Sequence, residues 1–207
     1  MKAFTVCEGI AAPLMSDNID TDTIVRVERI AQLQRGQFAP WAFEMLRYQA
    51  DGTEDRGFVL NRPPFRDAHI LLSGANFGCG SSREMAVWAL EEFGIRCVIA
   101  QSFGDIFYAN CLQNGLLPIR LDATQIEALA GPAALGERLR VDLRARTIQA
   151  PGIDQIAFDF PDDRREALLE GIDEIDQTMK LNARILAFQR NDAVMRPWVY
   201  VERGVQR

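Results

Sequence analysis

Hydrophobic and polar residues alternate in a regular pattern through the middle of the chain. Three short apolar runs occur at residues 70–72, 97–100 and 116–121. Between them lie two segments, 85–93 and 102–114, whose apolar residues recur at helical spacing and which end at Gly94 and Gly115. Glycine commonly ends a helix because it adopts the left-handed conformation without a Cβ clash. The pattern predicts three strands separated by two helices, and such connections make the neighbouring strands parallel.

The first 50 residues are less regular. A short apolar start at 4–6 is followed by the polar stretch 16–24, in which three aspartates occur within six residues. Clusters of aspartate and serine favour turns, so we expect a loop there. Residues 29–48 carry apolar and aromatic side chains with interrupted helical spacing, which predicts helix in short pieces.

The last third of the chain changes character. A short helix is predicted at 124–130, stopped by the Gly131-Pro132 pair, and alternation at 139–143 and 156–160 predicts half-buried antiparallel strands. Helical spacing returns from residue 162. Because no repeat or linker divides the chain, we predict one α/β domain over 1–207, with a mixed sheet flanked by helices and a C-terminal helical extension from about 162.

Charge and hydropathy exclude several classes of partner. The chain carries 29 acidic and 23 basic residues, a net charge of −6. It therefore lacks the basic surface that attracts nucleic acid or anionic membranes, and we predict neither as a partner. No uncharged apolar run approaches the roughly 18 residues of a membrane span, and the N-terminus lacks the apolar segment of a signal peptide. We expect a cytoplasmic protein. Despite the negative net charge, a local arginine can still bind a small anion.

The cysteines and histidine give little support for a metal site. Four cysteines, at positions 7, 79, 97 and 111, show no Cys-x-x-Cys spacing, and His69 is the only histidine. Zinc and iron–sulfur sites need closely spaced thiolates or several imidazoles. We therefore expect no metal or cofactor bound by this chain alone, and free thiols in a reducing compartment.

The chemistry is concentrated in the glycine-rich segment 73–84, Ser-Gly-Ala-Asn-Phe-Gly-Cys-Gly-Ser-Ser-Arg-Glu. Three glycines within seven residues let backbone N–H groups approach a ligand closely, and the predicted helix start that follows favours negative charge. No Gly-Lys-Ser/Thr follows, and Arg83 stands where a dinucleotide fingerprint needs its third glycine. The segment predicts a site for a small carboxylate, held by Arg83 and a serine hydroxyl.

Ser81 has two interpretations. With Glu84 it forms the capping-box pattern Ser-x-x-Glu, which would explain both residues structurally. As a base, its hydroxyl pKa would have to fall about 8 units from a value near ~15.7, on the order of 11 kcal/mol. A helix terminus supplies at most ~2 kcal/mol, so backbone donors, Arg83 and a cation brought by a partner would have to supply the rest.

A hydrolase is a third possibility. Ser81 or Cys79 could act as a nucleophile, but each needs a histidine, and His69 lies before the strand that precedes the glycine-rich segment. A buried, inert Cys79 and a structural His69 are the simpler interpretations. A hydrolase would be active as the isolated chain, whereas a base that depends on a partner's cation would not be.

Taken together, the motifs resemble the small subunits of bacterial 3-isopropylmalate dehydratases, which are similar to the mobile C-terminal domain of aconitase. The resemblance rests on four segments that occur in the family's order, at 18–24, 35–38, 76–90 and 102–118. They read Asn-Ile-Asp-Thr-Asp-Thr-Ile, Arg-Gly-Gln-Phe, Asn-Phe-Gly-Cys-Gly-Ser-Ser-Arg-Glu running into Trp-Ala-Leu, and Ser-Phe-Gly-Asp-Ile-Phe-Tyr-Ala-Asn running into Leu-Leu-Pro. The likeness covers nearly the whole chain.

The resemblance implies a swivelling β/β/α domain that closes over a large subunit carrying a [4Fe–4S] cluster. The reaction would be the dehydration and rehydration that interconverts 2- and 3-isopropylmalate in leucine biosynthesis. By motif position, Ser81 would be the base, while Ser82 and Arg83 would hold a carboxylate of a small dicarboxylate substrate. Asp22 would face the same cleft or simply form a turn, and Asn76 and Gly80 would shape the loop and offer donors.

Some positions depart from the family pattern. Met85, Ala86 and Val87 replace the histidine and proline usual after the Arg-Glu pair, and residues 25–28 are Val-Arg-Val-Glu instead of a run with proline. A related small subunit acting on another hydroxy-diacid, or an assembly module without catalysis, therefore remains an alternative. Three arginines are candidates for reading the substrate side chain, for salt bridges to the large subunit, or for solvated surface charge: Arg26, Arg29 and Arg35.

Overall fold

The computed structural model describes residues 1–200 of the chain. It contains two compact units, residues 1–171 and residues 172–207, and the second is described as far as residue 200. The first unit contains all seven strands and the glycine-rich segment.

One mixed sheet organises the first unit. Its strands are β1 (Val6–Leu14), β2 (Ile70–Ser73), β3 (Cys97–Ala100), β4 (Leu117–Arg120), β5 (Arg138–Asp142), β6 (Thr147–Gln149) and β7 (Ile156–Ala157). They lie in the order β4-β3-β2-β1-β5-β6-β7. The four strands from β4 to β1 are parallel, whereas β5, β6 and β7 join them antiparallel. The predicted mixed α/β sheet flanked by helices is therefore confirmed.

Helices connect the parallel strands and complete both units. They are α1 (Thr21–Ile24), α2 (Val27–Gln32), α3 (Glu44–Arg47), α4 (Glu84–Phe93), α5 (Asp105–Asn114), α6 (Ala123–Ala134), α7 (Asp162–Glu170), α8 (Glu174–Met179) and α9 (Asn182–Met195). Short 3-10 turns occur at Ala39–Trp41, Val59–Asn61, Phe65–Asp67 and Pro197–Tyr200. As predicted, α4 and α5 end at Gly94 and Gly115, both in the left-handed conformation.

A hydrophobic core covers each face of the parallel strands. Leu71 of β2 points into a core shared with α4, whereas its neighbours Ile70 and Leu72 point into a second core that contains Ile126 and Leu129 of α6. All of these side chains are fully buried. Burial on both faces explains why the parallel strands read as continuous apolar runs instead of an alternating pattern.

The strand pairing brings three loops to one edge of the sheet. Leu14, the last residue of β1, pairs with Ser73, the last of β2, and Leu72 pairs with Ile99 of β3. The chain therefore leaves all three strands at the same edge, in the segments 15–20, 74–83 and 101–104. The carboxyl edge of parallel strands is the usual location of ligand sites in α/β proteins.

Several sequence predictions were wrong at the ends of elements. The strand β1 extends over nine residues, most of which were not predicted, because its Gly, Ala and Pro positions have low strand propensity and only pairing with β2 and β5 stabilises them. The helix α6 continues through Gly131-Pro132 to Ala134, since Ala133 is fully buried in the second core. Of the strand predicted at 156–160, only Ile156–Ala157 pairs.

The helical pattern predicted after residue 162 is present as three helices. The first, α7, belongs to the first unit, where Phe4 donates a backbone hydrogen bond to Leu168 at 2.8 Å. In the second unit, Asp192 accepts hydrogen bonds from Arg196 (2.7 Å) and from the Tyr200 hydroxyl (3.0 Å). Residues 201–207 of the predicted extension lie outside the described part of the chain. Within residues 1–200, none of the helices is both long enough and apolar enough to cross a bilayer.

Candidate active site

Backbone hydrogen bonds join the three loops at the carboxyl edge of the sheet. The Asn18 N–H donates to the Ala75 carbonyl (2.8 Å), and the Phe77 N–H donates to the Ser102 carbonyl (2.9 Å). Isolated bridges, between 20 and 79 and between 77 and 103, continue the strand pairing beyond the strands. The glycine-rich segment is thus held in the middle, with a partner loop on each side.

An aromatic cluster supports the glycine-rich segment from below. The ring of Phe77 packs edge-on against Phe107 (5.4 Å between centroids) and Phe103 (6.3 Å). Gly78 lies directly on Phe107, and a Cβ built on it would be 2.7 Å from the Phe107 Cβ and closer still to the ring. Gly78 also has φ +70°. Glycine is required here because both the close contact and the backbone conformation exclude a side chain.

The capping-box interpretation of Ser81 is wrong. The helix α4 begins at Glu84, its N-cap is Arg83 in an extended conformation, and no side chain caps it. The Glu84 carboxylate instead accepts a hydrogen bond at 2.9 Å from Asn114, which also accepts one from the Trp88 indole at 2.9 Å. Ser81 therefore lies two residues before the N-cap of α4, and its exposed side chain does not cap the helix.

Arg83 and Asp22 come together at this edge. They form an ion pair between a guanidinium N–H group and a carboxylate oxygen, and the Arg83 side chain is 16% exposed against 48% for Asp22. The Arg83 Nη1 atom is buried without a well-aligned hydrogen bond. Asp22 is in the first turn of α1 rather than in an open loop, because Asp20 caps that turn by accepting from the Thr23 N–H at 2.7 Å. The two predicted site residues thus belong to one cluster.

Asn76 and Gly80 both have left-handed backbone conformations in the loop. Asn76 has a positive φ of 58°, donates from its side chain to the Asn18 amide oxygen at 2.8 Å, and donates its N–H to the Ser102 hydroxyl at 2.8 Å. Gly80 has φ +90° and immediately precedes Ser81. Ser82 is exposed beside Arg83.

Thr21 is the site residue that the sequence analysis missed. It is 1% exposed, its hydroxyl donates to the Ser81 carbonyl at 3.1 Å, and its N–H donates to the Cys79 carbonyl at 2.9 Å. The only signal in the sequence was a hydroxyl residue between the two aspartates of the motif. Its distance of 60 residues from Ser81 kept the contact hidden.

The three arginine candidates are all paired within the chain. Arg29 makes a two-pronged contact to Glu44 (2.6 and 3.0 Å) and stacks on Trp41 at 3.5 Å. This hydrogen-bonded pair lowers the pKa of Glu44 and raises that of Arg29. Two further arginines form exposed pairs at 3.3 Å, Arg26 with Glu28 and Arg35 with Glu91. Arg26 and Arg29 also line a cavity of about 700 Å³.

The structure argues against a histidine-assisted nucleophile. His69 is exposed and precedes β2, at the edge opposite the glycine-rich segment, so the strand of four residues separates it from that segment by about 13 Å. Burial raises the pKa of Cys7 to about 11 and places those of Cys97 and Cys111 well above the ordinary range. Within residues 1–200, no group of three or more histidine, cysteine, aspartate or glutamate side chains could hold a metal ion.

Comparison with known proteins gives a consistent result. The family model of the aconitase C-terminal domain matches residues 1–124. The chain is 46% identical over 200 residues to the 3-isopropylmalate dehydratase small subunit of Brucella anthropi, covering 96% of this chain and 100% of that protein. It is 45% identical over 207 residues to the one of Rhodospirillum rubrum, covering 99% and 100%.

A solved structure agrees with the fold. The crystal structure of 3-isopropylmalate dehydratase from Methanocaldococcus jannaschii superposes with a TM-score of 0.64 and 26% identity, over 90% of this chain and 99% of that one. The match therefore extends beyond the parallel half of the sheet that carries the glycine-rich segment. The chain belongs to the aconitase C-terminal domain family and, within it, to the small subunits of 3-isopropylmalate dehydratase, a hydro-lyase.

Proposed function

We propose that this chain supplies the base and a carboxylate-binding group to a two-subunit dehydratase that interconverts 2- and 3-isopropylmalate in leucine biosynthesis. The observation that carries the proposal is the position of the exposed Ser81 beside the Arg83–Asp22 pair, on a loop held at the carboxyl edge of the sheet. A serine without a capping role, two residues from a largely buried arginine, suits a dicarboxylate substrate.

In this proposal Ser81 removes the proton on the carbon next to a substrate carboxylate, and the hydroxyl on the adjacent carbon departs. Water then adds back with the two positions exchanged, and Ser81 returns the proton. Arg83 binds a carboxylate with the N–H groups of its guanidinium that Asp22 leaves free, and the Ser82 hydroxyl donates to the same carboxylate. Asn76 and Gly80 keep the loop in the conformation that presents these groups.

Asp22 has a defined part in this arrangement. Its ion pair with Arg83 fixes the guanidinium before substrate arrives, so less side-chain freedom is lost on binding. The pair also lowers the cost of burying the Arg83 charge in the free chain.

Residues 1–200 do not form a site for a [4Fe–4S] cluster. Among the four cysteines, three are buried and Cys79 is half-buried in the loop, and no cluster of ligands could be identified in residues 1–200. We propose that the cluster belongs to the large subunit and supplies the Lewis acid that Ser81 needs. The chain is then active only in the hetero-oligomer, in the reducing cytoplasm that suits its free thiols.

The arginine candidates bear on the choice of substrate. An isopropyl group needs an apolar lining, and the cavity beside Arg26 and Arg29 combines an apolar side chain, Trp41, with the charged Glu44. The charged part of this lining favours a second candidate function, the same reaction on another small hydroxy-diacid. Arg26, Arg29 and Arg35 are proposed to read the variable side chain or to contact the large subunit.

The experiment is reconstitution with the large subunit and assay of 3-isopropylmalate against a panel of malate-like diacids. Ser81→Ala should lower kcat by several orders of magnitude while subunit association and cluster content are retained. Ser16→Ala is the matched control, since Ser16 is also an exposed serine at this edge and its hydroxyl makes no hydrogen bond to another residue of the described chain. Full turnover by Ser81→Ala would remove Ser81 as the base. Preference for another diacid would favour the second candidate.

A further inference from the structure

The contacts of Thr21 determine the direction of two peptide groups on either side of Ser81. Its N–H holds the Cys79 carbonyl and its hydroxyl holds the Ser81 carbonyl. In a trans peptide the N–H points opposite to the carbonyl of the same plane. The N–H groups that share these planes belong to Gly80 and Ser82, so both point away from α1.

These two N–H groups have no acceptor within the described part of the chain. Earlier in the loop, by contrast, the backbone is engaged with the neighbouring loops: the Ala75 carbonyl accepts from the Asn18 N–H, and the Phe77 carbonyl accepts from the Gly104 N–H. The Gly80 and Ser82 residues are exposed, and Ser81 stands between them. Two amide donors of a turn that face the same way form a favourable place for an anion.

We propose that Thr21 is a positioning residue of the site, which orients the Gly80 and Ser82 amide groups toward the bound dicarboxylate and Ser81 between them. The proposal rests on the proposed function for its ligand. Two neighbouring residues of α1 then position the site: Thr21 orients the Gly80 and Ser82 amide groups, and Asp22 orients the Arg83 side chain.

The geometry explains why a buried threonine is suited to this position. Thr21 is almost completely enclosed, so its hydroxyl does not exchange partners with water, and its side chain is restricted at χ1 by branching at Cβ. Its N–H lies on the capped first turn, whose direction Asp20 determines. The two donors therefore have a fixed separation, and the peptide groups that they hold are fixed in turn.

The first test uses the reconstituted complex and three variants. Thr21→Val keeps the shape and removes the hydroxyl donor, and Thr21→Ser restores that donor. Thr23→Val changes a threonine of the same turn whose hydroxyl makes no hydrogen bond within residues 1–200. We expect Thr21→Val to lower kcat by about 100-fold, as misplacement of a reacting group does, with a smaller change in KM. Thr21→Ser should recover most of this loss, and Thr23→Val should behave as the unchanged protein.

A purely structural role makes different predictions. It would lower the melting temperature of Thr21→Val without a selective loss of kcat in the folded complex, or would leave Thr21→Ser as impaired as Thr21→Val. Either result overturns the proposal. The kinetics of all variants are measured below the melting temperature of the least stable one, so that unfolding does not contribute to them.

A second test needs no activity and so separates this proposal from the proposed function. In the isolated full chain, NMR amide shifts report the local environment of the Gly80 and Ser82 N–H groups, and heteronuclear NOE values report their mobility. We expect Thr21→Val, but not Thr23→Val, to shift both signals and lower both NOE values. Unchanged signals would overturn the positioning role even if the complex were inactive on every diacid.

Discussion

Gly78 offers a direct test of how the glycine-rich segment is seated on the aromatic cluster. Gly78→Ala adds a methyl group to a residue with φ +70°, in a place where Phe107 already fills the space. The left-handed backbone costs a non-glycine residue about 1–2 kcal/mol. Forcing an extra carbon into a packed region costs about 1–3 kcal/mol more.

The two costs can be separated with a matched control. Gly152 has φ +75°, almost the same conformation, but a Cβ there would meet no atom within 4 Å. Gly152→Ala should therefore show only the backbone cost, about 1–2 kcal/mol, while Gly78→Ala should show a total of about 2–5 kcal/mol. The entropy that alanine removes from the unfolded chain is the same for both variants and cancels in the comparison.

The assay is equilibrium unfolding in urea, read as the free energy of unfolding of each variant. In thermal unfolding, each kcal/mol of difference between the variants corresponds to a difference of about 2–4 °C in melting temperature. If the free energies of unfolding of the two variants agree within about 0.5 kcal/mol, which is the usual limit of additivity, the loop does not pack on Phe107 as described. A normal free energy for Gly78→Ala would contradict the left-handed conformation as well.

Two further predictions concern titrating groups. Because Arg29 lowers the pKa of Glu44 in the folded chain, the pair stabilises the fold above the ordinary glutamate pKa, near ~4.3, and this contribution is lost as the pH falls through the folded value. In urea unfolding from pH 7 to 3, the free energy of unfolding should depend less on pH for Glu44→Gln than for the unchanged protein. An identical pH dependence would refute the pairing. The half-buried Cys79 should react with a thiol reagent before Cys7, whose pKa burial raises to about 11, so peptide mapping of briefly alkylated native protein should find the label on Cys79; prior labelling of Cys7 would contradict the described burial.

The sequence by itself determined the parallel half of the sheet and the location of the chemistry. Strands at 70–73, 97–100 and 117–120 are buried on both faces, and their apolar runs are continuous for that reason. Gly94 and Gly115 marked the helix ends because a left-handed terminal residue is a local requirement. The glycine-rich segment was recognisable because backbone donors and an arginine close together in sequence are also close in space.

Only the tertiary structure decided which groups meet across the chain. Ser81 matches a local capping pattern, yet it is not a cap, because Thr21, 60 residues earlier, holds its carbonyl and delays the start of α4 to Glu84. Arg83 likewise pairs with Asp22, and Arg29 pairs with Glu44 through the folding of the segment between β1 and β2. The contacts of Ser81 and Arg83 depend on the register of β1 beside β2, which results from burial of the whole sheet and leaves no mark in any short stretch of sequence.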